Sequence, residues 1–234
     1  MSLPKNKYLA IIPARCGSKG IKKKNIVDVN GKPLIEYTIK PAVETLKKRI
    51  VEKVIVSTDC KEIKKICEDL GAEVPFLRPI EISGDKAKSI SYILHALDFF
   101  EKRNQFFDAV IILQPTAPLR TENDIEEAIN LFEANPKSES LISCYREEYI
   151  NDLVTYRKEN NFAIPINPNH NKGVRRQEHG SIFVRNGAIY ITTVKYLKNT
   201  KQVISDKPLM YEIPKSRSLN IDTLEDLKIL RKFL

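Results

Sequence analysis

Short runs of almost uninterrupted apolar, β-rich residues recur along the first 145 positions, with helical stripes between them. That alternation constrains the fold more than any other feature. The runs are LAIIPA (9–14), KVIVSTD (53–59), EVPFLR (73–78), DAVIILQP (108–115) and SLISCY (140–145). A strand without polar alternation is one buried on both faces. Between the runs, Ile63, Ile66, Cys67 and Leu70 fall at i, i+3, i+4 and i+7, and Gly71 supplies a C-terminal stop. Ile90, Ile93, Leu94 and Leu97 repeat the stripe. TENDIEEAINLF sets Thr121 and Asp124 in capping-box spacing ahead of Ile125, Ala128, Ile129 and Phe132. A helix over 34–49 contains Pro41, which predicts a kink or a late start. The pattern predicts an α/β fold: a doubly wound, mostly parallel sheet with helices on both faces. Ligands of such sheets bind beyond the carboxyl ends of the strands, so the loops after residues 14, 59, 78 and 115 are expected on one rim.

From 146 to 181 the alternation stops. RKENNFAIPINPNHNKGVRRQEHGS is polar, rich in Asn and Pro, and has no helical stripe. It reads either as a disordered loop or as an arm packed on another subunit. The second fits better, because compact domains rarely leave a long segment idle. Strand character returns in NGAIYITT (186–193), and TLEDLKILRKFL closes the chain as a helix capped at Thr223. The division is therefore one domain, 1–145 plus 182–234, carrying an inserted arm, 146–181.

Hydrophobic residues make up 42% of the chain, enough for a full core. No apolar run approaches a membrane span, and the N-terminus lacks a signal-peptide pattern. Cys16, Cys60, Cys67 and Cys144 are scattered without a CxxC pair, which argues against a zinc site or a disulfide framework and fits a reducing cytoplasm. His95, His170 and His179 lack metal-ligand spacing. The net charge of +9 points to an anionic partner. Nucleic acid and small phosphates both fit that charge, but no zinc finger or RNA-binding aromatic motif is present.

The stretch LAIIPARCGSKGIKKKN (9–25) concentrates cations in a glycine-containing loop directly after a strand. Glycine lets backbone N–H groups close on an anion while Lys and Arg neutralise it. Neither GxGxxG nor the Walker A spacing fits, and GKP at 31–33 implies further loop before any helix. On residues alone, a solvated basic turn remains the alternative.

PARCGSKGIKKKN resembles the PARxGSKGxxxKN signature of the cytidylyltransferases that activate nine-carbon keto-sugar acids, the CMP-sialic acid synthetase family. GKPLIEYTI, VIVSTD, FLRP, KSIS, LQPTAPLR, RRQ, NGAIY and NIDT follow in the order that family shows, covering almost the whole chain. The resemblance implies a Rossmann-like nucleotidyltransferase with a small dimerisation arm. It implies that CTP and a nonulosonic acid of sialic acid type give a CMP-sugar and pyrophosphate with Mg²⁺, for surface glycans, in a cytoplasmic homodimer. Neither nucleic acid nor membrane insertion is part of that expectation.

Carried over residue by residue, Arg15 and Lys24 contact the triphosphate, with Gly17, Ser18, Lys19 and Gly20 completing the cradle. Asn25 and Arg78 read the cytosine edge, where Ala87 and Ser89 also lie. Gln114, Arg176 and Tyr190 face the sugar acid, Arg176 through its carboxylate. Asp222 binds Mg²⁺. Val203 and Ile204 form an apolar wall across the dimer interface. Each role has a plainer rival: Lys22 and Lys23 facing water, Ser89 a helix cap, Arg78 a surface ion pair, Arg120 structural, Tyr190 a core ring, Asp222 an N-terminal cap.

Three departures from the family pattern stand out. Asn220 replaces the first acid of a DxD pair, which puts a second metal site in doubt. Asp152 stands where sialic acid enzymes carry a Lys, and Val184 where an Arg commonly precedes NGA, with Arg185 next to it. They leave the sugar open: legionaminic- and pseudaminic-type acids fit as well as N-acetylneuraminate. The alternatives are a related transferase for an eight-carbon keto-deoxy acid or a sugar 1-phosphate, and a basic nucleic-acid-binding module.

Overall fold

The computed structural model describes residues 4–18, 20–172 and 181–234. Among them the main sheet has six strands in the order β10-β6-β9-β5-β1-β4. These are β1 (Tyr8–Pro13), β4 (Lys53–Ser57), β5 (Ala109–Ile112), β6 (Ser140–Glu147), β9 (Ile182–Thr193) and β10 (Leu209–Glu212). Two hairpins stand outside it, β2 (Asp28–Val29) with β3 (Lys32–Pro33), and β7 (Tyr156–Glu159) with β8 (Phe162–Pro165). β1 pairs in parallel with β4 and β5, and β10 with β6, whereas β9 runs antiparallel between β5 and β6.

Period-two alternation along β1 feeds two cores. Tyr8, Ala10 and Ile12 face α1 (Glu36–Lys47), α2 (Lys61–Asp69) and α4 (Glu122–Glu133), which bury Ile39, Ala42, Ile63, Cys67, Ile125 and Phe132. Leu9 and Ile11 face α3 (Ser89–Glu101) and α5 (Val194–Thr200), which bury Ile93, Leu97, Phe100 and Leu197. A third cluster sets Leu227 and Leu230 of α6 (Leu224–Phe233) against Val29, Leu34 and Ile221. Both faces of the sheet are covered, as the uninterrupted apolar runs require.

The capping boxes form at Thr121/Asp124 and also at Thr223/Asp226. Helix α1 starts late, at Glu36, and runs through Pro41, which removes the N–H that would reach the Tyr37 carbonyl. The run 73–78 is not a strand. It meets β4 only at isolated bridges, Ile55 with Glu73 and Thr58 with Leu77, because Pro75 lacks a ladder donor. Ser89 is the first residue of α3 rather than its cap, which is Lys88.

The expected arm is heterogeneous. Its first two residues extend β6, and 156–165 form the separate β7–β8 hairpin, turned at Asn160 with φ 54°. Tyr149, Ile150, Val154, Phe162 and Ile166 remain exposed.

The candidate active site

The chain leaves β1, crosses to β4 on one side, then returns to β5 on the other. A sheet reverses its winding at such a point, and the crevice there opens beyond the strand ends. A cavity of about 450 Å³ occupies it. Residues following β1 (Arg15), following β5 (Gln114) and from the 78–89 segment share its wall, as the strand ends predicted. The loop after 59 meets that rim only through Asp59, which holds the Cys16 N–H.

The basic loop forms one side. The Cys16 N–H donates to the Asp59 carboxylate at 2.7 Å, and Asn25 Nδ2 donates to the Arg15 carbonyl at 2.9 Å. Asn25 is buried and lines the cavity, with one of its two amide hydrogens holding the loop. Arg15 lies across the cavity mouth with Nη1 2.5 Å from Asp85 Oδ1. Lys24 Nζ reaches the Ile221 carbonyl at 3.0 Å and Asp222 Oδ1 at 2.9 Å, closing the cavity against the segment that precedes α6. Gly20 is required by space: a Cβ there would lie 2.4 Å from the Asp222 carbonyl oxygen. Gly17 meets nothing within 4 Å and does not line the cavity. Ser18 does line it, and Lys19 lies outside the described residues.

Arg78 anchors the opposite end. It is buried, donates from Nε to Ser57 Oγ at 3.0 Å and from Nη2 to the Ser57 carbonyl, and lies 4.8 Å over the Tyr92 ring. Burial pushes its pKa down, yet the aromatic face and fixed acceptors suit a held guanidinium. A surface ion pair for Arg78 is thereby excluded. Ala87 and Ser89 line the same end, with Ile82 to Asp85 beside them.

Gln114 marks the boundary with a second region. Gly187, at φ +75°, sits in β9 with its missing Cβ only 2.7 Å from Gln114 Oε1 and 3.9 Å from the Tyr190 hydroxyl. A side chain at 187 would displace the Gln114 amide, so the glycine brings Gln114 and Tyr190 together. A bulge opposite Ser143 makes this shape: Ser143 Oγ donates to Asn186 Oδ1 at 2.6 Å and accepts from the Ile189 N–H at 2.8 Å. Tyr190 pairs in register with Ile112 at the carboxyl end of β5. It packs partly on the second core, burial raises its pKa, and it does not line the cavity itself. The Arg185 guanidinium lies 5.8 Å from that ring. Arg176 is outside the described residues.

Arg120 is structural. It is 2% exposed and donates to the Ala188 carbonyl, Thr38 Oγ1 and the Gln114 carbonyl. Burial pushes it down to about 9, which leaves it charged at neutral pH. Val203 is partly buried against the second core, and Ile204 beside it is also half-buried. Asp152 is engaged by the Asn167 side chain at 2.6 Å, and Val184 is exposed in β9.

Asp222 has the donor chemistry for a hard cation, at the cavity wall and exposed. Its second oxygen accepts from Asn220 Nδ2 at 3.2 Å, so the Asn220 amide is turned as a donor towards the carboxylate. Among the described residues no group of three or more acidic, His or Cys side chains could hold a metal unaided. One carboxylate completed by substrate phosphates and water is nonetheless the usual arrangement for Mg²⁺, and these residues fit it. Asp222 also precedes the α6 cap, but the capping itself is done by Thr223 and Asp226. Sequence reading assigned nothing to Tyr92, Asp59 or Asp85. Only Asp59, in VIVSTD, carried a signal.

Comparison with known proteins gives the family and the fold. The chain is 33% identical over 225 residues to a pseudaminic acid cytidylyltransferase of Campylobacter jejuni subsp. jejuni, spanning 96% of this chain and 95% of that one. It is 33% identical over 238 residues to a CMP-N,N'-diacetyllegionaminic acid synthase of Legionella pneumophila, spanning 97% and 96%. A solved CMP:2-keto-3-deoxy-manno-octonic acid synthetase complexed with CTP superposes with a TM-score of 0.70 over 97% of each chain, at 19% identity, and so shares the fold. Residues 9–233 match the family described as cytidylyltransferase, and the chain is a member of that family.

Proposed function

We propose that this cytidylyltransferase joins CTP to a nonulosonic acid, releasing pyrophosphate. The observation that carries the reading is one cavity shared by Arg15, Lys24, Arg78 and Asp222, in a chain whose relatives bear the names of pseudaminic and legionaminic acid enzymes. The cytosine lies between Arg78, Ala87 and Ser89, and the triphosphate runs towards Arg15, Ser18 and Lys24. The sugar acid lies beyond Gln114, against Tyr190. Its anomeric hydroxyl attacks the α-phosphorus, the new P–O bond forms as the bond to pyrophosphate breaks, and the hydroxyl proton leaves to solvent.

Alignment and charge stabilisation are the work asked of the protein. Arg15 exchanges Asp85 for phosphate oxygens, offering a planar fork, and Lys24 contributes a compact charge. Mg²⁺, held by Asp222 with Asn220 orienting the carboxylate, would neutralise phosphate charge. The exposed apolar side chains of Ile150, Val154, Phe162 and Ile166 support a homodimer in which this region packs on a second subunit, since a lone two-stranded hairpin is marginal in water. Among the described residues no helix is long and apolar enough to cross a membrane, and we place the enzyme in the cytoplasm, where CTP is made.

The test is pyrophosphate release with Mg²⁺, crossing CTP, UTP, ATP and GTP with nine- and eight-carbon keto acids. Release with CTP and a nonulosonic acid alone is the expected result. Equal release with the eight-carbon acid, or none with any pair despite tight CTP binding, would refute the sugar assignment.

A further inference from the structure

The two thiols nearest the basic loop belong to different elements, yet they touch. Cys16 follows Arg15 in the loop, Cys60 occupies the N-cap position of α2, and their sulfurs are 3.1 Å apart, Cys16 donating. The two backbones are already docked. Asp59, the residue before Cys60, holds the Cys16 N–H at 2.7 Å, and Lys23 further along the loop pairs with Glu62 of α2 at 2.6 Å. Both cysteines are partly exposed, whereas Cys67 and Cys144 are buried. A disulfide needs its sulfurs at about 2.05 Å, so closure asks for roughly 1 Å of movement shared between a loop and a helix end.

We infer that Cys16 and Cys60 form a hydroperoxide-sensitive dithiol whose oxidation clamps the nucleotide loop to α2 and slows cytidylyl transfer reversibly. Cys60, the sulfur that accepts the Cys16 S–H, attacks the peroxide oxygen as thiolate, because that hydrogen bond and burial push the Cys16 thiol up to about 11. The O–O bond breaks, giving a sulfenic acid and hydroxide. The other sulfur, losing its proton, attacks the sulfenic sulfur; the S–S bond forms, the S–O bond breaks, and water leaves. Two thiols and one peroxide thus give one disulfide and two waters, the thiols supplying both electrons. In a reducing compartment such a bond is transient, which suits a sensor rather than a structural staple.

The effect on rate rests on the proposed cradle. Cys16 lies between Arg15 and Gly17, so displacement there is felt at the triphosphate. A full 1 Å misplacement can cost about 10²-fold, and because the closure is shared with the helix end the loop moves by about half of that, for a cost on the order of tenfold. The test treats the reduced 234-residue chain with hydrogen peroxide, maps peptides by mass, and follows pyrophosphate release before oxidation, after it, and after dithiothreitol. A Cys16–Cys60 bridge, a fall in turnover of about tenfold, and recovery on reduction are expected. Cys60→Ser should keep its basal rate and resist peroxide. Absence of the bridge, unchanged turnover in bridged enzyme, or equal peroxide sensitivity in Cys60→Ser each overturns the inference. Arg15→Ala assayed alongside keeps the two readings apart: if it is slow while the bridged enzyme is fast, the sensor fails and the cradle stands.

Discussion

Replacing Gly20 by alanine tests the joint between the basic loop and the carboxylate. The added Cβ would lie 2.4 Å from the Asp222 carbonyl oxygen, where carbon and oxygen tolerate no closer than about 3.3 Å. The obstacle is backbone, so a side-chain rotation cannot relieve it. Either the loop or the 220–222 segment must retreat by about 0.9 Å, the difference between that limit and the native gap. Lys24 spans the same joint with bonds of 3.0 and 2.9 Å, and a retreat of that size breaks at least one of them. Misplacing charged groups by close to 1 Å lowers turnover by about 10²-fold. Steady-state pyrophosphate release should show this as a fall in kcat. Gly17→Ala is the control, because its Cβ meets nothing within 4 Å. It should leave the melting temperature unchanged and alter only CTP affinity, and only if the nucleotide approaches the backbone there. A Gly20→Ala enzyme within twofold of the wild-type kcat would refute the reasoning.

Further outcomes follow from the polar contacts. Arg15→Ala should lower kcat about 10²-fold in a folded enzyme, measured by the same assay. Asp222→Asn should abolish Mg²⁺-dependent turnover, and a retained rate at ordinary Mg²⁺ would return Asp222 to a purely local role. Arg217→Ala strands Asp124, whose side chain is 3% exposed, and should cost about 3 kcal/mol in chemical denaturation. Burial pushes the Asp124 carboxyl up, but Arg217 and the Thr121 donors outweigh it and hold the pKa below the ordinary value. That stabilisation is present above the unfolded value and is lost as pH falls through the folded one. The gap between wild type and Arg217→Ala should therefore close below about pH 4. Thr223→Ala removes one half of the α6 capping box and should cost about 1 kcal/mol by thermal melting.

The sheet, both helical faces and the rim were legible because a period-two or period-3.6 pattern states its burial directly. What escaped was either negative or remote. Pro75 forbids a ladder in a segment that otherwise reads as a strand. The β7–β8 hairpin announces itself only through Asn160 and Asn161 between two short runs, within a polar stretch that drew no strand assignment. In the site, Arg15, Lys24 and Asp222 stood out by motif, yet Asp59, Asp85 and Tyr92 act through partners distant in sequence. Asn25, expected at the base, lines the cavity and also holds the Arg15 carbonyl, a contact no motif states. No local pattern encodes a contact between residues 20 and 222.

The insertion of β9 between β5 and β6 bears on how the chain is made. Strands β5 and β6 leave the ribosome before residue 182 exists, and each then presents an open edge of backbone donors and acceptors. They cannot pair with each other in native register, since the slot between them belongs to a strand still to come. Arg120 shares the wait, because its Ala188 acceptor lies on that strand. Nascent chains stalled before 182 should therefore be the species that chaperones hold, and β5 and β6 are joined only when the antiparallel β9 arrives between them.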